Sequence, residues 1–165
     1  MDISFVLIIL LFGAAATYFV GNKWASVAAL IFSGAAFAAA VYITCLFNQG
    51  EEVSTFYKWI EKPQIAFALQ ADGLSLTMLL LTTALTPIII LSSFKNVINN
   101  ARSFYALILF MAFAMAGTFT SADGFLYYIF WELSLIPIYF IALLWGNGDM
   151  EERKKAVVKF FIYTF

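Results

Sequence analysis

A single acidic residue inside an apolar run is the feature of this sequence best able to do chemistry. Glu132 is the ninth residue of the stretch 124–146, which contains no other charge. In a helix it lies about 12 Å from the start of that stretch, at about 1.5 Å per residue. An ionised side chain at mid-span costs roughly 2.5–3.5 kcal/mol on insertion scales, so such a residue normally faces protein or water and has a partner. The helical face through it reads Phe125, Tyr128, Glu132, Leu135, Ile136, Tyr139. Tyr128 and Tyr139 could hydrogen-bond along a polar path on that face. Pro137 has no N–H, which leaves the carbonyl of Leu133 without its helical donor. That acceptor, one residue from Glu132, must be satisfied by water or a neighbouring side chain. A carboxylate beside a kinked and hydrated backbone suits proton handling. The competing reading is a structural Glu held by a neighbouring helix. Within 1–165 no Lys or Arg stands inside a complete span, so a cationic partner is expected beyond Phe165 or on another chain.

The other chemistry-bearing residues read more plainly. Pro87 frees the carbonyl of Thr83, and Thr82, Thr83 and Thr86 are placed to repair it, giving a packing kink. Asp72 and Asp123 each precede a Gly that opens a span and read as N-caps that also favour the helix dipole. Lys159, just inside a sixth apolar pattern, reads as snorkelling to one membrane face. Cys45 is the one cysteine, so it forms no internal disulfide, and it reads as a buried, inert thiol. The chain has no His, which excludes imidazole-based haem or zinc ligation and Ser-His or Cys-His catalysis. It has no Gly-rich phosphate loop, CxxC motif or paired-carboxylate cleft. No cofactor or metal site is expected in this chain.

These residues must be positioned by membrane helices. Of 165 residues 64% are hydrophobic and 12% charged, with a mean hydropathy of +0.92. Soluble domains are about 45–50% apolar and about 25% charged. The composition excludes a soluble globular enzyme, a disordered chain and a basic nucleic-acid binder. A helix needs about 20 mostly apolar residues to cross a bilayer. The expected spans are 3–20, 24–47, 73–94, 103–122 and 124–146, with a partial sixth over 156–165. The fold class is an all-α multi-pass membrane protein: one membrane domain over 1–165, with no soluble domain. The sixth pattern is too short to span, so the chain reads as the front part of something longer. Asp2 and the lack of a small-residue cleavage site argue against a signal peptide. In span 2, Gly34 and Ala38 stand four apart and read as a close helix contact.

Loop charges set an orientation. Lys23, Lys95, Arg102, Arg153, Lys154 and Lys155 fall on one side, and Lys58 and Lys62 on the other. The positive-inside rule then places the N-terminus outside. The connection 48–72 is the one sizeable external loop. Ile65, Phe67 and Leu69 alternate with Ala66, Ala68 and Gln70, a period of two that predicts a short β-hairpin after the turn Glu61-Lys62-Pro63-Gln64. The apolar side of that hairpin needs a surface to cover it, supplied by a partner or by its own helix ends.

The run from Phe130 to Gly146, with Trp131-Glu132, Ile136-Pro137, Tyr139-Phe140 and Leu144-Trp145-Gly146, resembles chain M (mitochondrial subunit 4 type) of the proton-translocating NADH:quinone oxidoreductase, respiratory complex I. Ala71-Asp72-Gly73-Leu74-Ser75-Leu76 and Lys159-Phe160-Phe161-Ile162-Tyr163-Thr164 are similar to the starts of that family's third and sixth helices. The resemblance covers the whole chain but only about the first third of the family's length. It implies the N-terminal part of an antiporter-like fold of about fourteen helices. It also implies that Glu132 takes part in proton translocation by pairing with a Lys on a broken seventh helix and modulating that Lys's proton affinity. Tyr128, Pro137, Tyr139 and Lys159 are the supporting candidates. NADH, flavin, iron–sulfur clusters and quinone are expected in other subunits, and chains of the L and N type as partners beside the lipid bilayer. No nucleic-acid partner is expected. The implied location is the cell inner membrane or plasma membrane, or the mitochondrial inner membrane in an organelle, and this polypeptide alone is not expected to pump. Two other readings stand beside this one: a D-type subunit of a multisubunit cation/proton antiporter, and a truncated, non-catalytic membrane scaffold.

Overall fold

The computed structural model describes residues 2–60, 65–94 and 99–164. Its elements are α1 (Ser4–Val20), α2 (Ala25–Asn48), β1 (Ser54–Ile60), β2 (Ile65–Gln70), α3 (Gly73–Ser93), α4 (Ala101–Thr120), α5 (Gly124–Trp145) and α6 (Met150–Thr164). Four of the helices, α2 to α5, are long and apolar enough to cross a membrane. At 17 residues α1 is apolar but shorter. The helix α6 begins six residues before the apolar pattern that predicts it. Asp149 accepts from the Glu152 N–H at 2.9 Å, and Glu151 and Glu152 occupy the first turn, where the helix dipole favours acids. A count of apolar residues alone misses such a polar opening turn.

Helix α4 is central and packs against α1, α2, α3 and α5, whereas α6 rests on α5. The shared core is built from Val6 and Leu10 of α1, Ala29, Ala36 and Ala40 of α2, Leu79 and Ile90 of α3, and Leu109 and Ala116 of α4. Small residues let the backbones approach, which matters where lipid is as apolar as the protein and close packing drives association. A Cβ at Gly117 of α4 would run into the Phe130 ring of α5. One at Gly13 of α1 would meet Phe32 of α2. Gly34 and Ala38 do not serve this purpose. Both are exposed, and a Cβ on Gly34 meets nothing within 4 Å. The inner face of α2 is carried instead by Ala25, Ala29, Ser33, Ala36 and Ala40. Cys45 is likewise exposed, not buried, because it falls on the outer face of α2.

Buried hydroxyls are satisfied within their own helices. Thr82, Thr83 and Thr86 donate to the carbonyls of Met78, Leu79 and Thr82 at 2.7–2.8 Å. They therefore bond one turn back along the chain and not to the Thr83 carbonyl that Pro87 frees. The Ser93 hydroxyl meets the Tyr105 hydroxyl at 3.1 Å and ties α3 to α4. Among the described residues Thr17 is the exception: it is fully buried and its hydroxyl has no partner.

The two strands pair antiparallel, with Ser54 opposite Gln70, Thr55 opposite Leu69 and Tyr57 opposite Phe67, and an irregularity between Lys58 and Ile60. The hairpin expected from the alternation of 65–70 therefore forms. The turn residues Glu61 to Gln64 lie outside the described residues. Its inner face is covered by the chain's own helix ends. Leu69 and Thr55 are buried, the Ala122 N–H donates to the Ala68 carbonyl at 2.8 Å, and Thr55 meets Ser4 at 3.2 Å. The hairpin thus sits at the end of the bundle where α1, α3 and α5 begin.

Candidate functional site

Helix α5 starts where the sequence places it. The Asp123 carboxylate accepts from the N–H groups of Phe125 at 2.9 Å and Leu126 at 3.1 Å. At α3 the cap is reciprocal: Asp72 accepts from Ser75 N–H at 2.6 Å, and the Ser75 hydroxyl accepts from Asp72 N–H at 2.8 Å. These bonds hold the Asp72 carboxyl below its usual value of 3.8, led by the Ser75 backbone N–H. The far end of α5 is closed by Arg153, whose guanidinium donates to the carbonyls of Leu143 at 2.9 Å and Leu144 at 3.2 Å. Gly146 makes that corner possible, since a Cβ there would collide with the Ala142 carbonyl. Sequence reasoning counted Arg153 only as a loop charge. Its position one helical turn past a Gly-Asn-Gly corner was the available signal.

With its ends fixed, α5 divides into two faces. Leu126, Phe130 and Leu133 turn toward the core, and the Phe130 ring meets Phe113 of α4 edge-on at 5.5 Å. Glu132 stands on the other side, half-buried. The Tyr128 hydroxyl, one turn earlier on the same face, interacts with its carboxylate. Around this pair Tyr128, Trp131 and Ile136 are exposed, and α5 is the least covered of the four long helices.

The structure brings Tyr128 to Glu132 and sends the other supporting candidates elsewhere. Tyr139 packs its ring edge-on against Phe161 of α6 at 6.0 Å, in an apolar groove of about 390 Å³ with Ile136, Phe140, Val158 and Ile162. Pro137 is fully buried inside α5, which remains helical through it. The neighbouring Ser134 hydroxyl donates to Trp131, at 2.7 Å, and not to the Leu133 carbonyl. Lys159 is exposed on α6. Among the described residues no group of three or more His, Cys, Asp or Glu could hold a metal ion.

The fold and this site define a class: a bundle of membrane-length helices with a carboxylate and a tyrosine paired inside the last long one. Comparison with known proteins narrows the class. No family model matches the chain. It is 33% identical over 165 residues to F(420)H(2) dehydrogenase subunit M of Methanosarcina mazei, covering 98% of this chain and 33% of that protein. It is 38% identical over 108 residues to NADH-quinone oxidoreductase subunit M of Escherichia coli K12, covering 64% of this chain and 21% of that protein. It is 36% identical over 138 residues to an NAD(P)H-quinone oxidoreductase chain 4 of Trichormus variabilis, covering 79% and 25%. The chain is homologous to these M-type and chain 4 subunits. It spans a third or less of their length. Among solved structures, a chain of the membrane-bound sulfane sulfur reductase, an archaeal respiratory membrane complex, superimposes with a TM-score of 0.76. That match covers 93% of this chain and 24% of that one at 12% identity, and shows a shared fold.

Proposed function

We propose that this chain is an antiporter-like membrane-arm subunit of a respiratory oxidoreductase, taking part in proton translocation coupled to electron transfer from NADH to quinone. Glu132 within α5, beside Tyr128 on a face that the rest of the chain leaves open, carries this reading. The homology to M-type subunits supports it. In this reading the four long apolar helices and the shorter α1 all cross the membrane. The N-terminus and the hairpin lie outside, with Lys58; Lys23, Arg102, Arg153, Lys154 and Lys155 lie inside. Lys62 and Lys95, which also enter the charge count, fall outside the described residues.

Glu132 acts by electrostatics. Its carboxylate stabilises a cation brought against the open face of α5, and that cation stabilises the carboxylate in return. Tyr128 orients the carboxylate through its hydroxyl. Pro137 deprives the Leu133 carbonyl of its helical donor near the acid, while Tyr139 and Lys159, supporting candidates from the sequence, lie toward α6 and away from the acid. The partner cation, chains of the L and N type, and the NADH, flavin, iron–sulfur and quinone sites belong to the rest of the assembly, without which this chain is inactive. Replacing Glu132 by Gln in the assembled complex tests the reading. Proton pumping per electron falls sharply while assembly persists; unchanged pumping in an intact complex would sink the role.

One observation favours a variant of this reading. The F(420)H(2) dehydrogenase subunit M matches 98% of the chain, more than the matched NADH–quinone subunits do. The electron donor is then F(420)H(2) in place of NADH, with the same role for Glu132. Assaying purified complex with each donor separates the two.

A further inference from the structure

The end of the bundle opposite the hairpin carries a pair of cations that the proton-handling reading does not use. Gly21, at φ +89°, makes the tight turn between α1 and α2, closed by Trp24 N–H donating to the Gly21 carbonyl at 3.3 Å. That φ is open to Gly and strained for other residues. The turn displays Lys23 and aims Asn22 at the start of α4, where its side-chain oxygen accepts from the Arg102 N–H at 3.2 Å. The Arg102 guanidinium then lies over the Tyr18 ring, 5.3 Å from its centroid. Lys23 and Arg102 are thereby held at one corner of α1, α2 and α4.

Among the described residues no acidic group pairs with them. Among the described residues Arg102 meets Asn22 and Tyr18, and a ring face leaves its charge intact. The acids of this end, Asp149, Glu151 and Glu152, belong to α6 and its approach, which pack on α5 across the central α4. Around the two cations the surface is aromatic and open: Phe19 is 83% exposed, Trp24 60% and Tyr18 46%. Aromatic residues at a helix end mark headgroup depth, with apolar rings toward the acyl chains.

We propose that Lys23 and Arg102 bind the phosphate headgroup of an anionic phospholipid. A guanidinium held over the Tyr18 ring can present its N–H edge for two parallel bonds to phosphate oxygens, and the Lys23 ammonium adds a point charge from the neighbouring turn. Phe19 and Trp24 take the glycerol and upper acyl region. A net negative lipid is favoured over a zwitterionic one, whose own ammonium competes for the phosphate.

The test uses protein extracted from its membrane and exchanged into micelles containing equal phosphatidylglycerol and phosphatidylcholine, with bound lipid counted by native mass spectrometry. Phosphatidylglycerol is retained in excess, and K23Q and R102Q each lower that excess by about fivefold, the size expected for one basic residue at an anionic surface. R102K keeps part of it, and K58Q, at the hairpin end, leaves it unchanged. A K23Q/R102Q double variant that retains the full excess would overturn the site, as would an equal loss in K58Q. Complete displacement by inorganic phosphate at matching concentration would assign the corner to a free anion and overturn the lipid.

Discussion

Tyr128 and Glu132 stand one turn apart on the same face of α5, where the phenol and the carboxylate interact. Because both groups ride on one helix, their spacing is set by α5 alone. The acid is pre-oriented, and what remains open is the approach of a cation. Tyr128→Phe therefore lowers coupled proton pumping by a few-fold, a small effect because the tyrosine is exposed and its interaction screened. Glu132→Gln lowers it by about tenfold or more, the scale of coupling between two interacting sites. The double variant is no worse than Glu132→Gln, because the two residues act as one unit. Additive losses in vesicle pumping assays would separate them.

Gly117 and Phe130 set the distance between α4 and α5. Gly117→Ala puts a methyl into the Phe130 ring and destabilises the bundle by about 1–3 kcal/mol, as overpacking does. Adding Phe130→Leu restores much of the loss. Denaturant unfolding followed by helical circular dichroism measures both; an Ala variant as stable as the parent would show that the helices separate freely.

The unpartnered Thr17 hydroxyl is a cost carried in the core of α1. Thr17→Val keeps the shape, removes the orphan oxygen and raises stability by about 1 kcal/mol. The same unfolding measurement reads it. A less stable Val variant would show that the hydroxyl is in fact satisfied.

Asp72 makes the start of α3 acid-sensitive. Its folded carboxyl titrates below the usual 3.8, held there by Ser75. The cap contributes fully above the unfolded value and is lost as pH falls through the lower folded one. Hydrogen exchange at Leu74, Ser75 and Leu76 thus speeds up only below about pH 4. Asp72→Asn removes that acid dependence; an unchanged profile in the Asn variant would assign it to another group.

Orientation is checked by cysteine labelling in a Cys45→Ser background, which the exposure of Cys45 makes necessary. An impermeant maleimide applied to intact cells labels Lys58→Cys and spares Lys154→Cys. The opposite pattern inverts the topology.

The sequence by itself determined the elements. Run length separated the long helices from their connections, because a bilayer sets a minimum apolar length. Period-two alternation marked the hairpin, and the carboxylates of Asp72 and Asp123 marked helix starts, since a cap is a local bond between neighbours. Glu132 stood out because a charge in an apolar run is costly wherever the helix packs. What the sequence left undetermined is which side of each helix meets protein. In a membrane chain both sides are apolar, so the pattern that orients a soluble helix is nearly absent. For that reason Gly34, Ala38 and Cys45 read as inward and lie outward, while Ala29, Ala36 and Ala40 hold the core. The same physics hid the fit of Phe130 over Gly117. It hid too the reach of Arg153 back to Leu143 and the seating of Arg102 on Tyr18, contacts between residues 10 or more apart in the chain. Tertiary packing decided those, and with them which face of α5 carries Glu132 into the open.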